Sequence, residues 1–580
     1  MDMNNALQAL QRLGFDVDTA SADVVVVGAG GAASRAAVSA AQGGASVIVL
    51  AKAPVGQGGS TVHGASEIMS MGASGYGNPD DSADVHYRDT MQAAGGFIDP
   101  ALVRVLAEDA PARIRDLIEW GVPFDRLQGH DGYKLIQSDF GSYARALGVS
   151  GRTGKAFVAA LAEQAAALGV ETRYPVALVD ILRDTQGAIC GVLGMNLDTR
   201  RLQLIVAKTV VMGTGGAHGL FTQQVSTAEM TGDGQAICFR HGAELVNMEF
   251  HQFGPALVYP YVQLFSKSCF VLHPKITNRQ GREFLGDYLP AGITAEEVMD
   301  EKVFPFTISN ASRYVDIAMA SEIAHGRGTE RGAVYFSFAH VEPERLAKTI
   351  PNTLRWMQSN DVDPRQDLLE VGIAFQCMNG GVRMLDTDAR SSIPGLFVIG
   401  ELAGGVRGPD RPGGNSLAEG QVFGHRAGAA AAREAKQRTH AASMDVEPLV
   451  NRLELALRPN PGFSASRAAS ELRQAMQSHC LVEKTATGLQ RALDVASAVL
   501  DQVRLGGAAT PTAVMEALTI DNMATTSQVI LEAVLHRKES RSSHYRTDFR
   551  ERDDAAYGRA YAVVKEDTGM RFSAINYPHS

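Results

Sequence analysis

Gly28, Gly30 and Ala33 form a GxGxxA run inside "VVVVGAGGAASRAAVSAA". The valines before it read as a buried strand, and the small residues after it as a helix. The first glycine permits a tight turn, the second lets a pyrophosphate approach the backbone, and the small third residue lets helix and strand pack closely. The helix N-terminus then meets the phosphates with the positive end of its dipole. This is the chemistry of a dinucleotide site. Further glycine-rich strand and helix ends follow: "GTGG" at 213–216, "TGDG" at 231–234, "IGE" at 399–401 and "GGNSLAEG" at 413–420. Together they would gather backbone N–H groups around one dinucleotide. One part of the pattern is missing. The second strand, "VIVL", ends in Ala51 and Lys52 rather than in an acid for the ribose.

These groups need elements to hold them. The chain has 580 residues, 45% hydrophobic and 20% charged, enough for three or four domains. Helical patterns fill roughly 80–120 and 153–168, and β patterns fall at 172–182, 189–196 and 206–212. From about 245 to 365 the alternation gives way to aromatic and proline-rich loops, which predicts an insertion. The α/β pattern resumes with "GLFVIG" at 395–400 and a small-residue helix from Asn415. The expected organisation is a lead-in (1–20), an α/β domain in two parts (21–244 and 366–438) split by an inserted domain (245–365), and a helical domain with a charged tail (439–580).

Composition narrows the function classes. A net charge of -10 argues against nucleic acid or an acidic membrane as partner. Cys190, Cys238, Cys269, Cys377 and Cys480 are scattered, with no CxxC or CxxCH, so no iron–sulfur, zinc or c-type haem site is expected in the chain. Their sparseness fits a reducing compartment. The absence of a secretory pattern or a long apolar run predicts a cytoplasmic protein without membrane insertion.

Taken in order, "GAGGAA", "GGST", "TGDGQAI", "GREF", "RPGGNSL" and "ESRSSHYRTDFRERDD" resemble the succinate dehydrogenase/fumarate reductase flavoprotein and L-aspartate oxidase family, over about residues 23–554. The resemblance implies an α/β fold: a split Rossmann-type FAD-binding domain, an inserted α+β capping domain that closes over the substrate, and a C-terminal helical domain. It also implies FAD contacts at Gly28, Gly30, Gly31, Ala33, Lys52, Gly59, Ser60, Thr61, Ala177, Gly215, Asp233, Glu401, Asn415, Ser416 and Leu417. Glu401 would replace the missing ribose acid. Ser60 stands where respiratory members carry the histidine that bonds to the flavin, so FAD is expected to be non-covalent. His63, three residues on, reads as a polar loop residue.

The family reaction exchanges a hydride between flavin N5 and a carbon adjacent to a carboxylate-bearing carbon, while an arginine carries the proton. Arg313, in "NASRYVDIAMASEI", matches that arginine. Arg411 matches the one that grips a substrate carboxylate, work suited to a guanidinium fork. Three departures limit the likeness. Gly254 and Ala256 replace the histidine and threonine of one substrate motif. Phe375 is expected at the second substrate histidine. The proton relay has no counterpart in "QLFSKSCFVLHP", and Tyr314 replaces the acid after the arginine. These losses would remove donors and open space, with Phe375 as an apolar wall. A small organic acid other than succinate or fumarate is therefore expected. His251 is the best outside candidate for the substrate pocket, and Arg407 could add a positive charge. Other readings are an amino-acid oxidase, a subunit working with a separate electron acceptor or iron–sulfur partner, and a catalytically silent flavin-binding protein. A monomer or homodimer is expected.

Overall fold

The computed structural model describes residues 2–508, 510–567 and 569–577. Its central sheet is built on the strand Val17–Val27, which pairs in parallel with Val47–Leu50 on one side and Leu202–Met212 on the other. Glu171–Arg173 and Leu396–Val398 extend the parallel part at its two sides. Val24, Val25 and Val26 are fully buried because helices cover one face of this sheet and further chain the other. The strands Val176–Arg183 and Ile189–Asn196 form an antiparallel flap on the first half of Leu202–Met212.

Two helices fix the cleft side of this sheet. Gly31–Gln42 packs along Asn415–Ala435, which arrives from the far end of the sequence. Gly420, Gly424 and Gly428 recur every fourth residue and so share one helix face. A Cβ on Gly424 would stand 2.6 Å from the Ala32 carbonyl oxygen, and one on Gly428 only 2.2 Å from that of Ala36. The helices touch backbone to backbone. Gly428→Val should therefore destabilise the protein by about 3 kcal/mol, the cost of overpacking where only backbone can move. A thermal midpoint unchanged from wild type would contradict this contact.

The insertion carries a five-stranded antiparallel sheet ordered 263–264, 251–259, 369–378, 333–337, 275–277. Its central strand is Leu369–Met378, so the inserted unit reaches beyond the expected boundary at 365. The strand is buried on both faces, and a continuous apolar strand reads alike in either sheet. The lead-in also ends earlier than expected. The helix Met3–Arg12 gives way to the first strand at Val17, where pairing with Leu202 begins.

The C-terminal part packs three long helices, Ala465–His479, Ala486–Arg504 and Val514–His536. The charged tail is not simply a tail. Ala560–Glu566 and Gly569–Ile575 form a hairpin whose first strand pairs with Leu245–Val246. Among the described residues, no helix is long and apolar enough to cross a membrane.

Candidate active site

The cleft opens where the parallel strands end. Gly28 follows Val27, Gly213 follows Met212, and the Gly213 amide donates to the Val27 carbonyl at 2.8 Å. Gly28 has φ +113°, and a Cβ there would lie 2.3 Å from the Gly213 carbonyl oxygen. Ala33 packs behind this turn, 3.1 Å from where a Gly213 Cβ would stand.

Among the described residues, three helices of eight residues or more begin at the cleft wall: Gly31–Gln42, Asp233–Arg240 and Asn415–Ala435. Their N-caps are Gly30, Gly232 and Gly414, none with a side chain to satisfy first-turn N–H groups. Such ends suit a pyrophosphate. The Thr61 hydroxyl takes the Gly31 N–H at 3.3 Å. Gly59, Ser60, Gly215, Ser416 and Leu417 also line the cleft. Glu401 sits in the wall, its Oε1 accepting the Met378 N–H at 2.9 Å and its Oε2 the Ser60 hydroxyl at 3.4 Å. Lys52 donates to Asp233 Oδ2 at 2.6 Å and to the Glu229 carbonyl at 2.8 Å. The glycine cradle, the unfilled helix caps and the half-buried acid Glu401 fit a dinucleotide.

Two expected contacts face elsewhere. Ala177 points its side chain into the core behind the sheet, and strand alternation puts Val176 and Leu178 on the cleft. Asn415 turns away, its Oδ1 accepting from His86 Nε2 at 2.8 Å and its amide donating to Thr90 Oγ1 at 2.9 Å, leaving Ser416 and Leu417 at the wall. It fixes the helix start instead of lining the cleft.

At the other end of the cleft stands Arg411. It donates to Gln252 Oε1 at 2.8 Å and to the Pro412 carbonyl at 3.1 Å, while its buried Nε has no partner among the described residues. Gln252 Oε1 also accepts from the Cys377 thiol at 3.2 Å. Asp139 lines the same region. Burial raises its carboxyl, against the Phe304 amide and the charges of Lys267, Lys302 and Arg411, which pull it down. Asp139 and Phe304 are site residues that no sequence motif marked, and Gln376 and Cys377 directly follow the expected Phe375.

Several expected substrate contacts are corrected. Gly254 leaves no open space: a Cβ there would meet the Phe304 ring at 2.5 Å, so Phe304 from a distant loop fills the position and supplies the apolar wall. Phe375 is not that wall. It is fully buried, stacked on Phe221 at 4.3 Å, while Gln376 and Cys377 face the cleft. A one-residue step along a strand reverses the face. Arg407 touches the cleft, but its guanidinium donates to the Met378, Gly400 and Ala403 carbonyls and lies 3.1 Å from Glu419. Its charge is committed. Arg313 is absent from the cleft lining. It donates to the Ile308 carbonyl at 2.5 Å and lies over the Tyr314 ring, so the residue that replaced an acid now holds it.

His251 is likewise a core residue, its Nε2 2.7 Å from the Cys480 carbonyl oxygen. Burial, with Lys484 adding to it, pushes its pKa down from 6.5 to about 3. A folded pKa below the unfolded one favours the neutral ring. The stability from that neutral state is complete above pH 6.5 and is lost as pH falls toward 3. His251→Leu should therefore show a shallower fall of thermal midpoint between pH 6.5 and 4 than wild type. Parallel curves would remove His251 from the acid response.

A family model described as "FAD binding domain" matches residues 23–417, and one described as "Fumarate reductase flavoprotein C-term" matches 469–577. The chain is 32% identical to a fumarate reductase (CoM/CoB) subunit of Methanothermobacter marburgensis, over 91% of this chain and 94% of that one. It is 31% identical to L-aspartate oxidase of Caulobacter vibrioides, over 95% and 98%. Among solved structures, it superposes on Mycobacterium smegmatis Sdh1 with a TM-score of 0.81 at 28% identity, covering 97% of this chain and 95% of that chain.

Proposed function

Because this chain belongs to the FAD-dependent flavoprotein family of fumarate reductase, succinate dehydrogenase and L-aspartate oxidase, we propose that it moves a hydride between FAD and a carbon adjacent to the carboxylate-bearing carbon of a small organic acid other than succinate or fumarate. It is an FAD-dependent oxidoreductase, and FAD supplies the hydride chemistry. The observation that carries the substrate reading is Arg411, held in the cleft by Gln252 with donors to spare.

Arg411 binds and orients a carboxylate through its fork. Phe304, in the place a donor at position 254 would need, makes the opposite wall apolar and helps exclude water. A second carboxylate would find no fixed donor there and would face Asp139, a carboxyl already disfavoured as an anion by burial. Asp139 is the cleft group suited to hold or move the proton at the neighbouring carbon, since Arg313 is engaged elsewhere. FAD is held without a covalent bond: Ser60 has no ring nitrogen to bond the flavin, and exposed His63 is tied to the Gln57 carbonyl at 2.9 Å.

A second reading, an amino-acid oxidase, is supported by Asp139, which offers an ammonium group an acceptor beside the carboxylate grip. A separate electron acceptor or an iron–sulfur protein as partner is the reading supported by the relative from Methanothermobacter marburgensis, which is named as one subunit of its enzyme.

The test is anaerobic flavin absorbance, titrated with small organic acids and amino acids. Bleaching by a saturated monoacid supports the first reading, and bleaching by an amino acid with oxygen-dependent peroxide supports the second. Bleaching by succinate ahead of all others would overturn the substrate assignment.

A further inference from the structure

Behind the cleft wall at residues 229–233, the helix Val514–His536 lays one face against the turn that carries Asp233. Asn522 donates its amide to Asp233 Oδ1 at 2.7 Å. One turn on, the Thr526 hydroxyl donates to the Gly232 carbonyl at 2.9 Å. On its cleft side, Asp233 receives Lys52 at 2.6 Å and the Thr231 hydroxyl at 2.8 Å, both on Oδ2. One carboxylate thus ties a C-terminal helix to a lysine at the dinucleotide cleft.

The direction of the Asn522 amide is fixed. Its Oδ1 accepts from Arg452 at 3.1 Å and also from Arg240. The same two arginines hold the neighbouring Asp521, at 2.8 and 3.3 Å. Arginine has only donors, so the amide oxygen must face them and the NH2 must face Asp233. Reversing the amide would break all three bonds. Arg452 belongs to the helix Glu447–Ala456 and Arg240 ends the helix that Asp233 begins. Two helices besides its own therefore orient this side chain toward the wall.

We propose that Asn522 is a positioning residue for FAD, acting through Asp233 and Lys52, so that docking of the C-terminal helix and FAD binding stabilise each other. Binding free energies that are coupled must be coupled in both directions. FAD should tighten the helix, and loosening the helix should weaken FAD.

The test has two arms on the full chain. FAD affinity is measured by flavin fluorescence for wild type, Asn522→Ala and Thr526→Val. Amide hydrogen exchange over 514–536 is measured with and without FAD. The expected result is a tenfold or greater loss of affinity in Asn522→Ala, a smaller loss in Thr526→Val, and slower exchange in 514–536 when FAD is present. A purely structural role would lower the unfolding temperature of the flavin-free protein yet leave FAD affinity and the exchange difference unchanged. Wild-type affinity in both variants, or equal exchange in 514–536 with and without FAD, overturns the proposal. Should Asn522→Ala fail to fold, Thr526→Val and the wild-type exchange experiment still decide it.

Discussion

Gly28→Ala is expected to leave a folded chain that purifies without flavin. The added Cβ would stand 2.3 Å from the Gly213 carbonyl oxygen, and neither backbone can retreat. Val24–Val27 and Thr209–Met212 are locked in parallel register immediately before the two glycines. The turn must open toward the cleft, into the space the pyrophosphate would occupy. The φ of +113° adds backbone strain to the clash. FAD affinity should fall at least about 100-fold, or about 2.7 kcal/mol. Gly59→Ala separates the two effects. Gly59 has φ +80° but no protein atom within 4 Å of its Cβ, so there the backbone strain, worth about 1–2 kcal/mol, acts without a clash against the protein. Flavin absorbance of the purified variants checks both. Full occupancy in Gly28→Ala would show that the pyrophosphate does not cross this turn.

Arg411→Ala should lower the rate constant for flavin bleaching by the active acid about 100-fold or more. Removing one partner of a buried, hydrogen-bonded charge pair costs about 2–5 kcal/mol, largely because the other charge is left unpaired. Arg411→Lys keeps the charge but loses the planar fork and the bond to Gln252, so it should recover only part of the rate. The revealing comparison is Arg313→Ala. With its guanidinium bound to the Ile308 carbonyl and Tyr314, its removal should cost less than about tenfold. Stopped-flow absorbance on the three variants reads these values. An Arg313→Ala loss equal to that of Arg411→Ala would return the proton role to Arg313 and remove it from Asp139.

The dinucleotide site was legible from residue order alone, because its demands are local. A strand, a turn that tolerates only glycine and a helix of small residues occupy one stretch, 24–42. Glu401 and Lys52, both expected as FAD contacts, line the cleft. Strand alternation misled at two places. Ala177 and Phe375 each lie one residue from side chains that face the cleft, and a motif match that slips by one lands on the opposite face.

What the sequence by itself determined is the FAD domain and its family, since each rests on short stretches whose backbone needs specific residue types; it also marked Arg411 as the candidate for a carboxylate grip. The tertiary structure decided what surrounds that grip. Phe304 enters the space beside Gly254 from fifty residues away, Asp139 comes from the first part of the FAD domain, and His251 is drawn into the core under Cys480. The same holds for Asn522, which reaches Asp233 across 289 positions. The reason is physical. A side chain's face, its burial and the charges beside it are set by which distant segments pack against it, and neither spacing nor residue type carries that information.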